Sequence, residues 1–317
     1  MVWLLDDHWD HQHRAYFMSV QQRELQPLKI RSHGVNLGGM RYDERYTPYV
    51  RETGLLPSIQ LVRRSTPPLN AAAITALVDR WRSETHSFHL RTREMTVTLQ
   101  DIAMIAGLPI EGNTPCMSTD SDGWREQMHA LISMVPPEPR ELEAEDKKKE
   151  RVAAGAPFTW IAWNFGTCPE DANEDEVKTY AGVYMWYVIS RNMFADGTGK
   201  NAPWMWLKAL TVFDSEWSWG SATLAYFIAT LDEACCRTSK DGGIGGCMLA
   251  LSVWSSERLP VGRPKTVEYE DWDDKDDPLW FPTWAYKWDV VNEMTDDPSV
   301  MYKLYTSEMD TITVEQV

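Results

Sequence analysis

The chain has 317 residues, 43% of them hydrophobic, and a formal net charge of −16. This length is enough for one large domain or two smaller ones with a substantial core, and the 16 tryptophans predict a core rich in aromatic side chains. The five cysteines include no Cys-x-x-Cys pair, which excludes a zinc ribbon or a disulfide framework and favours free thiols in a reducing compartment.

The negative charge is unevenly distributed. Residues 1–13 carry −3 and residues 94–317 carry −20, whereas residues 14–93 carry 13 Lys and Arg against 6 Asp and Glu. An acidic chain does not attract nucleic acid as a whole, but a basic face built from the 14–93 region could do so. The arginines proposed for such a face are Arg41, Arg45, Arg51, Arg63 and Arg64. The alternative is that these arginines pair with the acidic remainder of the chain.

No membrane segment is expected. The apolar start, residues 1–5, is followed at once by Asp6 and Asp7, so it is too short for a signal peptide. Apolar runs elsewhere are far shorter than the ~20 residues that cross a bilayer. The sequence therefore predicts an intracellular protein.

Taken in chain order, the first elements are weakly defined. Glycines and prolines interrupt every periodic run between residues 14 and 66, so we expect this region to be irregular. A helix is predicted over residues 69–81, where Leu69, Leu77 and Trp81 share one face.

A small hairpin and a capped helix come next. The β-forming stretches 88–90 and 94–99 predict the hairpin. Thr98 is three residues before Asp101, a spacing typical of a helix N-cap, and Gly107 is placed to end that helix.

Residues 136–157 are charged and almost free of large apolar side chains. This composition predicts a linker or a solvated helix between an N-terminal lobe, residues 1–135, and a helical C-terminal lobe, residues 158–317. In the second lobe, helical spacing predicts helices over 174–194, 204–213, 221–236, 246–254, 284–294 and 300–309. The expected fold is therefore mainly α: a multi-helix globular domain with a small β-hairpin near residues 87–99.

The glycine-rich stretch at residues 242–246 precedes a predicted helix and invites comparison with a phosphate-binding loop. Cys247 and Met248 stand where a P-loop has Lys and Ser or Thr, and Met248 occupies the third glycine position of a dinucleotide motif. Close helix packing after a flexible turn is therefore the favoured interpretation. The alternative is a cryptic or degenerate enzyme that holds an anion near residues 241–264.

Metal binding has only weak candidates. His8, His11 and His13 lie in a polar N-terminal stretch with three aspartates, which is equally typical of a solvated terminus. An acidic stretch at residues 268–278 lacks the spacing of a calcium loop. Neither a nucleophile motif nor a marked Schiff-base lysine occurs, so the sequence predicts no catalytic set and no cofactor.

The strongest local pattern is the exit of the predicted helix 246–254. Glu257 and Arg258 follow an apolar run and are costly to bury unless they are paired, and Arg263 lies between Gly262 and Pro264. We expect an Arg–carboxylate arrangement that fixes this loop to the core, with a ligand or partner contact as the alternative. Candidate surface anchors for a partner are Trp217, Trp219 and Trp272.

Several long segments resemble one known family. These are FHLRTREMTVTLQDIAMIAGLPIEG (88–112), EDEVKTYAGVYMWYVISRNMFADGTG (174–199), SWGSATLAYFIATLDEAC (218–235) and GGCMLALSVWSSERLPVGRP (245–264). In this order they are similar to motifs of the plant mobile domain family, also labelled aminotransferase-like. The resemblance extends from about residue 14 to the end of the chain.

The resemblance implies a nuclear, non-catalytic interaction module of the MAIN type. Such domains are linked to transposon silencing and genome integrity, occur inside transposable elements, and act with a phosphatase-like protein partner. The resemblance thus implies a protein partner and DNA or chromatin association, and it supplies no catalytic residues. The residues of this chain give no support to the aminotransferase-like label.

Overall fold

The computed structural model describes residues 10–30, 39–64, 66–67, 69–115, 121–138, 154–196, 199–210, 216–263, 283–288 and 297–316. Within these residues the fold is mainly α, as the sequence predicts. The helices are α1 (Arg14–Ser19), α2 (Thr47–Glu52), α3 (Leu56–Arg64), α4 (Ala71–Val78), α5 (Leu99–Ala106), α6 (Trp124–Ile132), α7 (Phe158–Phe165), α8 (Glu174–Asn192), α9 (Trp204–Ala209), α10 (Trp219–Ala234), α11 (Met248–Arg258) and α12 (Pro298–Thr311).

The strands are short and form three small sheets. The strands are β1 (Lys29–Ile30), β2 (Trp81–Arg82), β3 (Ser87–His89), β4 (Glu94–Met95), β5 (Gly155–Pro157), β6 (Asn201–Pro203) and β7 (Gly243–Ile244). The sheet β2–β3–β4 is antiparallel, with Phe88 opposite both Trp81 and Met95. The predicted hairpin is thus confirmed and gains a third strand. The pairs β1–β7 and β5–β6 are parallel and antiparallel, respectively.

The ends of α5 follow from local sequence. The Thr98 hydroxyl accepts a hydrogen bond from the Asp101 amide, and the Asp101 carboxylate accepts one from the Thr98 amide, so both orphan donors of the first turn are satisfied. Gly107 ends the helix with φ +66°, a left-handed conformation that suits glycine. The predicted cap and stop of this helix are both confirmed.

The expectation of an irregular region over residues 14–66 is wrong. The structure contains α1, α2 and α3 there, because Pro48 and Pro57 lie in the first turns of α2 and α3 and do not interrupt them. Pro48 occupies the first turn of α2, where no hydrogen bond is lost. Gly54 has φ +73° between α2 and α3.

Other helix boundaries move by a few residues. α4 ends at Val78, and Trp81 belongs to β2. α11 runs on to Arg258, so Glu257 and Arg258 belong to its last turn. The predicted helix 284–294 is a 3-10 helix over Trp284–Trp288, and its remaining residues lie outside the described part.

The core is built around α8, of which residues 181–190 are all buried. A helix that is apolar on every side belongs inside a fold, and α2, α3, α6, α7 and α9 all pack against it. One continuous hydrophobic cluster therefore joins residues from both predicted lobes. Of the charged segment 136–157, residues 139–153 lie outside the described part, and residues 155–157 form β5. In the described residues no helix combines the length and apolar character needed to cross a membrane.

A buried ion pair joins distant parts of this core. Arg14 and Asp79 are each 1% exposed, and the Arg14 Nε donates to Asp79 Oδ1 at 2.7 Å. The same guanidinium donates to the carbonyl oxygens of Gln26 and Arg237 at 3.1 and 2.6 Å. The Tyr302 hydroxyl of α12 donates to the other Asp79 oxygen. The charges of Arg14 and Asp79 are thus hydrogen-bonded to protein groups from four regions of the chain.

Replacement of Asp79 in the buried pair should destabilise the fold, because the Arg14 charge then stays buried alone. We expect Asp79→Asn to lower the free energy of unfolding by about 3–5 kcal/mol, because it leaves the Arg14 charge buried without a counter-charge. Urea unfolding followed by circular dichroism measures the change.

The matched control is the exposed pair Lys29–Asp241, whose side chains are 52% and 77% exposed. Asp241→Asn should change the free energy by about 0.5 kcal/mol or less. A similar small loss for Asp79→Asn would show that the buried pair does not stabilise the fold.

Candidate functional site

The glycine-rich stretch before α11 is a close-packed turn. A Cβ atom on Gly245 would lie 2.2 Å from the Ala195 carbonyl oxygen, and one on Gly246 would lie 2.5 Å from Thr230 Oγ1. Gly246 also has φ +79°, and its amide donates to the Ala195 carbonyl at 2.7 Å. Residues 242–246 are all buried. This geometry favours the packing interpretation over a phosphate cradle.

Arg258, at the end of α11, contacts the N-terminus of α5. Its Nη2 donates to Asp101 Oδ1 at 3.0 Å, and the Asp101 side chain is only 4% exposed. Burial raises the pKa of Asp101, but hydrogen bonds from Thr98 and Arg258 outweigh burial and hold that pKa below its usual value. One carboxylate therefore caps α5 and anchors α11 at the same time.

Glu257 points to a different neighbour. Its Oε1 accepts hydrogen bonds from Lys287 Nζ at 3.1 Å and from Trp288 Nε1 at 3.0 Å. The Arg263 guanidinium turns back and donates to the carbonyl oxygens of Leu259 and Glu257 at 3.1 and 3.4 Å, which serves the last turn of α11. The exit of α11 is thus tied to α5 and to the 3-10 helix 284–288 by charged side chains that protein groups already engage.

The surface-anchor prediction for the tryptophans is wrong for Trp219. Its ring is fully buried, and its Nε1 donates to the Thr53 carbonyl at 3.1 Å, because the first turn of α10 inserts into the core. Trp217 is half-buried and donates to the Ala209 carbonyl at 3.2 Å. Trp272 lies outside the described residues. Among the tryptophans that the structure describes, the exposed ring is instead that of Trp163 on α7, which is 89% exposed.

The five arginines proposed for a nucleic-acid face do not behave alike. Arg45 is paired with Asp43 at 2.7 Å, and Arg63 is paired with Glu44 at 3.0 Å and lies over the Tyr42 ring. Arg41 and Arg51 are exposed. The side chain of Arg64 lies outside the described part. The structure therefore neutralises two of the five proposed arginines with acidic neighbours.

Of the three histidines proposed as metal ligands, His8 lies outside the described residues and His11 is exposed. His13 is 4% exposed and caps α1: its Nδ1 accepts from the Ala15 amide at 3.0 Å, so its Nε2 carries the proton that is donated to the Trp81 carbonyl at 2.9 Å. Burial lowers the pKa of His13, which keeps the ring neutral. Among the described residues no group of three or more His, Cys, Asp or Glu could hold a metal ion.

A cleft of about 670 Å³ beside His13, lined by residues of polar and charged type, was not predicted from the sequence. Asp10, His11, Arg82 and Cys236 line it together with His13. Arg82 is engaged there by the Asp10 carboxylate at 2.5 Å. The cleft joins three distant segments, residues 10–13, residues 82–84 and Cys236, so the sequence signals only its parts: the polar stretch with His11 and His13, and the adjacent pair Cys235–Cys236.

The shared role of Asp101 makes stability depend on pH. Its pKa is depressed in the folded protein, so its stabilisation is fully present above the unfolded value of about 3.9 and is lost as the pH falls through the lower folded value. We expect Asp101→Asn to lower the free energy of unfolding by about 1.5–3 kcal/mol at pH 7 and by progressively less below about pH 4.

Urea unfolding of both proteins at a series of pH values measures this difference. Glu126→Gln, at an exposed position of α6, is the control and should differ from the parent by about 0.5 kcal/mol or less. A penalty for Asp101→Asn that is the same at pH 3 and pH 7 would contradict the assigned role.

Several known proteins are similar to this chain. The chain is similar to protein MAIN-LIKE 2 of Arabidopsis thaliana, 31% identical over 77% of this chain and 34% of that protein. It is similar to protein MAINTENANCE OF MERISTEMS from the same plant, 30% identical over 62% of this chain and 39% of that protein. A third relative is the serine/threonine-protein phosphatase 7 long form homolog of Arabidopsis thaliana, 31% identical over 98% of this chain and 22% of that protein.

This chain therefore spans between about a fifth and two fifths of the length of these relatives. No solved structure matches it. The profile of the plant mobile domain matches residues 59–317, which include the capped helix α5, the core helix α8 and the whole α11 exit. The chain belongs to the plant mobile domain family.

Proposed function

We propose that this chain is a non-catalytic interaction module of a nuclear protein that acts with a phosphatase-like partner in transposon silencing and genome integrity. A copy of this domain carried by a transposable element would bind the same kind of phosphatase-like partner. The relatives support a modular role, since each is more than twice as long as the region it shares with this chain. One of them is named as a phosphatase and contains a region similar to nearly the whole chain.

The single observation that carries the interaction role is the exposure of Trp163. Tryptophan is enriched among the residues that dominate binding energy at interfaces, and it is costly to leave in water. On the same helix, Phe165 packs its ring edge-on against Trp160 and Tyr180, at centroid distances of 6.0 and 5.3 Å. Trp160 also belongs to α7, so it is the contact with Tyr180 of α8 that fixes α7 to the core. Trp163 is therefore presented outward from a helix that is packed against α8.

The use of the ionisable side chains supports a non-catalytic role. At the α11 exit and around Arg14, the ionisable side chains bind to helix caps, carbonyl oxygens and opposite charges of the protein itself. Arg80 of the same region donates to the Thr306 carbonyl at 2.8 Å and to Asp310 at 2.6 Å. Such pairs are typical of a structural network and differ from a set of acid and base groups that converge on an open site.

The two alternatives have less support. An enzyme that holds an anion near residues 241–264 would need Arg258 or Arg263, and both donate to protein acceptors. Among the proposed arginines whose side chains are described, nucleic-acid binding through the 14–93 region would rest on Arg41 and Arg51, because Arg45 and Arg63 pair with carboxylates.

Removal of the exposed ring should weaken the partner complex. We expect Trp163→Ala to lower the affinity for a purified plant serine/threonine phosphatase-like protein by about tenfold or more, as truncation of a central interface tryptophan does. Biolayer interferometry with the immobilised domain measures the dissociation constant.

Val300→Ala is the matched control, because Val300 is an exposed apolar residue, 61% exposed, on α12. It should leave the affinity unchanged. Equal affinities for the parent protein and Trp163→Ala would remove Trp163 from the interface, and absence of binding by the parent protein would contradict the proposed partner.

A further inference from the structure

Two adjacent cysteines end α10 beside the cleft. Cys235 is the C-cap residue and is buried, whereas Cys236 is exposed and lines the cleft. Their Sγ atoms lie 3.8 Å apart. The other described cysteines, Cys168 and Cys247, are buried. Cys235 and Cys236 are therefore the described thiols that combine contact with each other and access from solvent.

The two thiols are not equivalent. The Cys235 thiol, which donates to the Asp232 carbonyl at 3.2 Å, also contacts the Cys236 sulfur, and this contact lowers the pKa of Cys236 to about 7, although burial and the charges of Asp10 and Asp232 act in the opposite direction. The same interaction, together with burial, raises the pKa of Cys235. The exposed sulfur is thus the one that forms a thiolate, which is the reactive form of cysteine, and the buried sulfur keeps its proton.

We propose that Cys236 and Cys235 form a site of reversible oxidation by hydroperoxides, in which the two side chains close to a vicinal disulfide. The cleft of about 670 Å³ gives a small peroxide access to Cys236, and Cys235 is held in contact as the resolving thiol.

The reaction balances with one hydroperoxide. The Cys236 thiolate attacks the terminal peroxide oxygen, the O–O bond breaks, and the leaving oxygen takes a proton and departs as water or an alcohol. Cys236 is then a sulfenic acid. The Cys235 sulfur attacks this oxidised sulfur, the S–O bond breaks, and the hydroxide leaves as water with the Cys235 proton. Two thiols are oxidised, and one peroxide is reduced.

The product should be easy to reduce. Adjacent Cα atoms are about 3.8 Å apart, which is shorter than the usual Cα separation of about 4.4–6.8 Å across a disulfide. Closure must therefore distort the peptide group between the two residues, and strained disulfides are the labile ones. The site is suited to a reversible modification and not to a permanent cross-link.

The peptide group between Cys235 and Cys236 also takes part in holding α1 in place. The Cys235 carbonyl accepts a hydrogen bond from the Arg14 amide at 2.7 Å, at the first residue of α1. The Arg237 carbonyl, two residues further along the chain, accepts a hydrogen bond from the Arg14 side chain at 2.6 Å. Closure of the disulfide should therefore loosen the attachment of α1 to the end of α10.

Mass spectrometry of the whole chain tests the site directly. The protein is treated with hydrogen peroxide, alkylated with N-ethylmaleimide under denaturing conditions, and digested with trypsin. The peptide 209–237 contains Cys235 and Cys236 and no other cysteine. We expect this peptide to lose two hydrogen atoms and both alkylation sites, and to regain both sites after treatment with dithiothreitol.

Two variants separate the pair from the other thiols. Cys236→Ser should abolish the loss of hydrogen, and Cys247→Ser, at a buried position, should leave it unchanged. The proposal is overturned if Cys236 accumulates as sulfinic acid, if it links two chains, or if peroxide leaves both alkylation sites intact.

Hydrogen exchange of α1 tests the structural consequence. The Arg14 amide should exchange at least tenfold faster in the oxidised protein than in the reduced protein, because its acceptor carbonyl has turned. Equal exchange in both forms, with the disulfide present, would show that the link between the dithiol and α1 is wrong.

Discussion

A charge buried in a protein must be matched by an opposite charge and by hydrogen-bond partners, and the Arg14–Asp79 pair meets this requirement with groups from four parts of the chain. Because each of these groups is separated from the others by long stretches of sequence, the pair can form only when α1, α4, α10 and α12 are all in place. The attachment of α1 to the end of α10 depends on the same arginine, whose amide and side chain donate to the carbonyl oxygens of Cys235 and Arg237 beside the dithiol.

The same requirement applies at the exit of α11. Asp101 binds to groups of both α5 and α11, and Glu257 binds to Lys287 and Trp288 of the 3-10 helix 284–288. Charged side chains there hold helices together by binding to groups of the protein. Two other groups in the described residues face solvent, the ring of Trp163 and the Cys236 thiol beside the cleft. The proposed surface interaction and the proposed side-chain modification rest on these two groups.

The sequence predicts those features whose signals are local. Thr98 and Asp101 predict the cap of α5, Gly107 predicts its end, and the helical spacing of apolar residues predicts α8. All three predictions agree with the structure. The short helices of residues 14–64 were missed because tertiary packing, and not propensity, stabilises them. The burial of Trp219 and the partners of Arg14 were also out of reach, since they depend on contacts across 166 and 65 positions that no periodicity records.

The boundary of the family match and the boundary of the folded unit differ. The profile of the plant mobile domain begins at residue 59, whereas Arg14 lies 45 positions earlier and neutralises Asp79 inside the matched region. A domain that began at residue 59 would bury the Asp79 carboxylate with the Tyr302 hydroxyl but without its guanidinium, and an unpaired buried charge costs several kcal/mol, on the order of the whole stability of a domain. The segment that carries Arg14 is therefore part of the same physical unit, and the similarity of one relative over 98% of this chain is consistent with that unit having been retained as a whole.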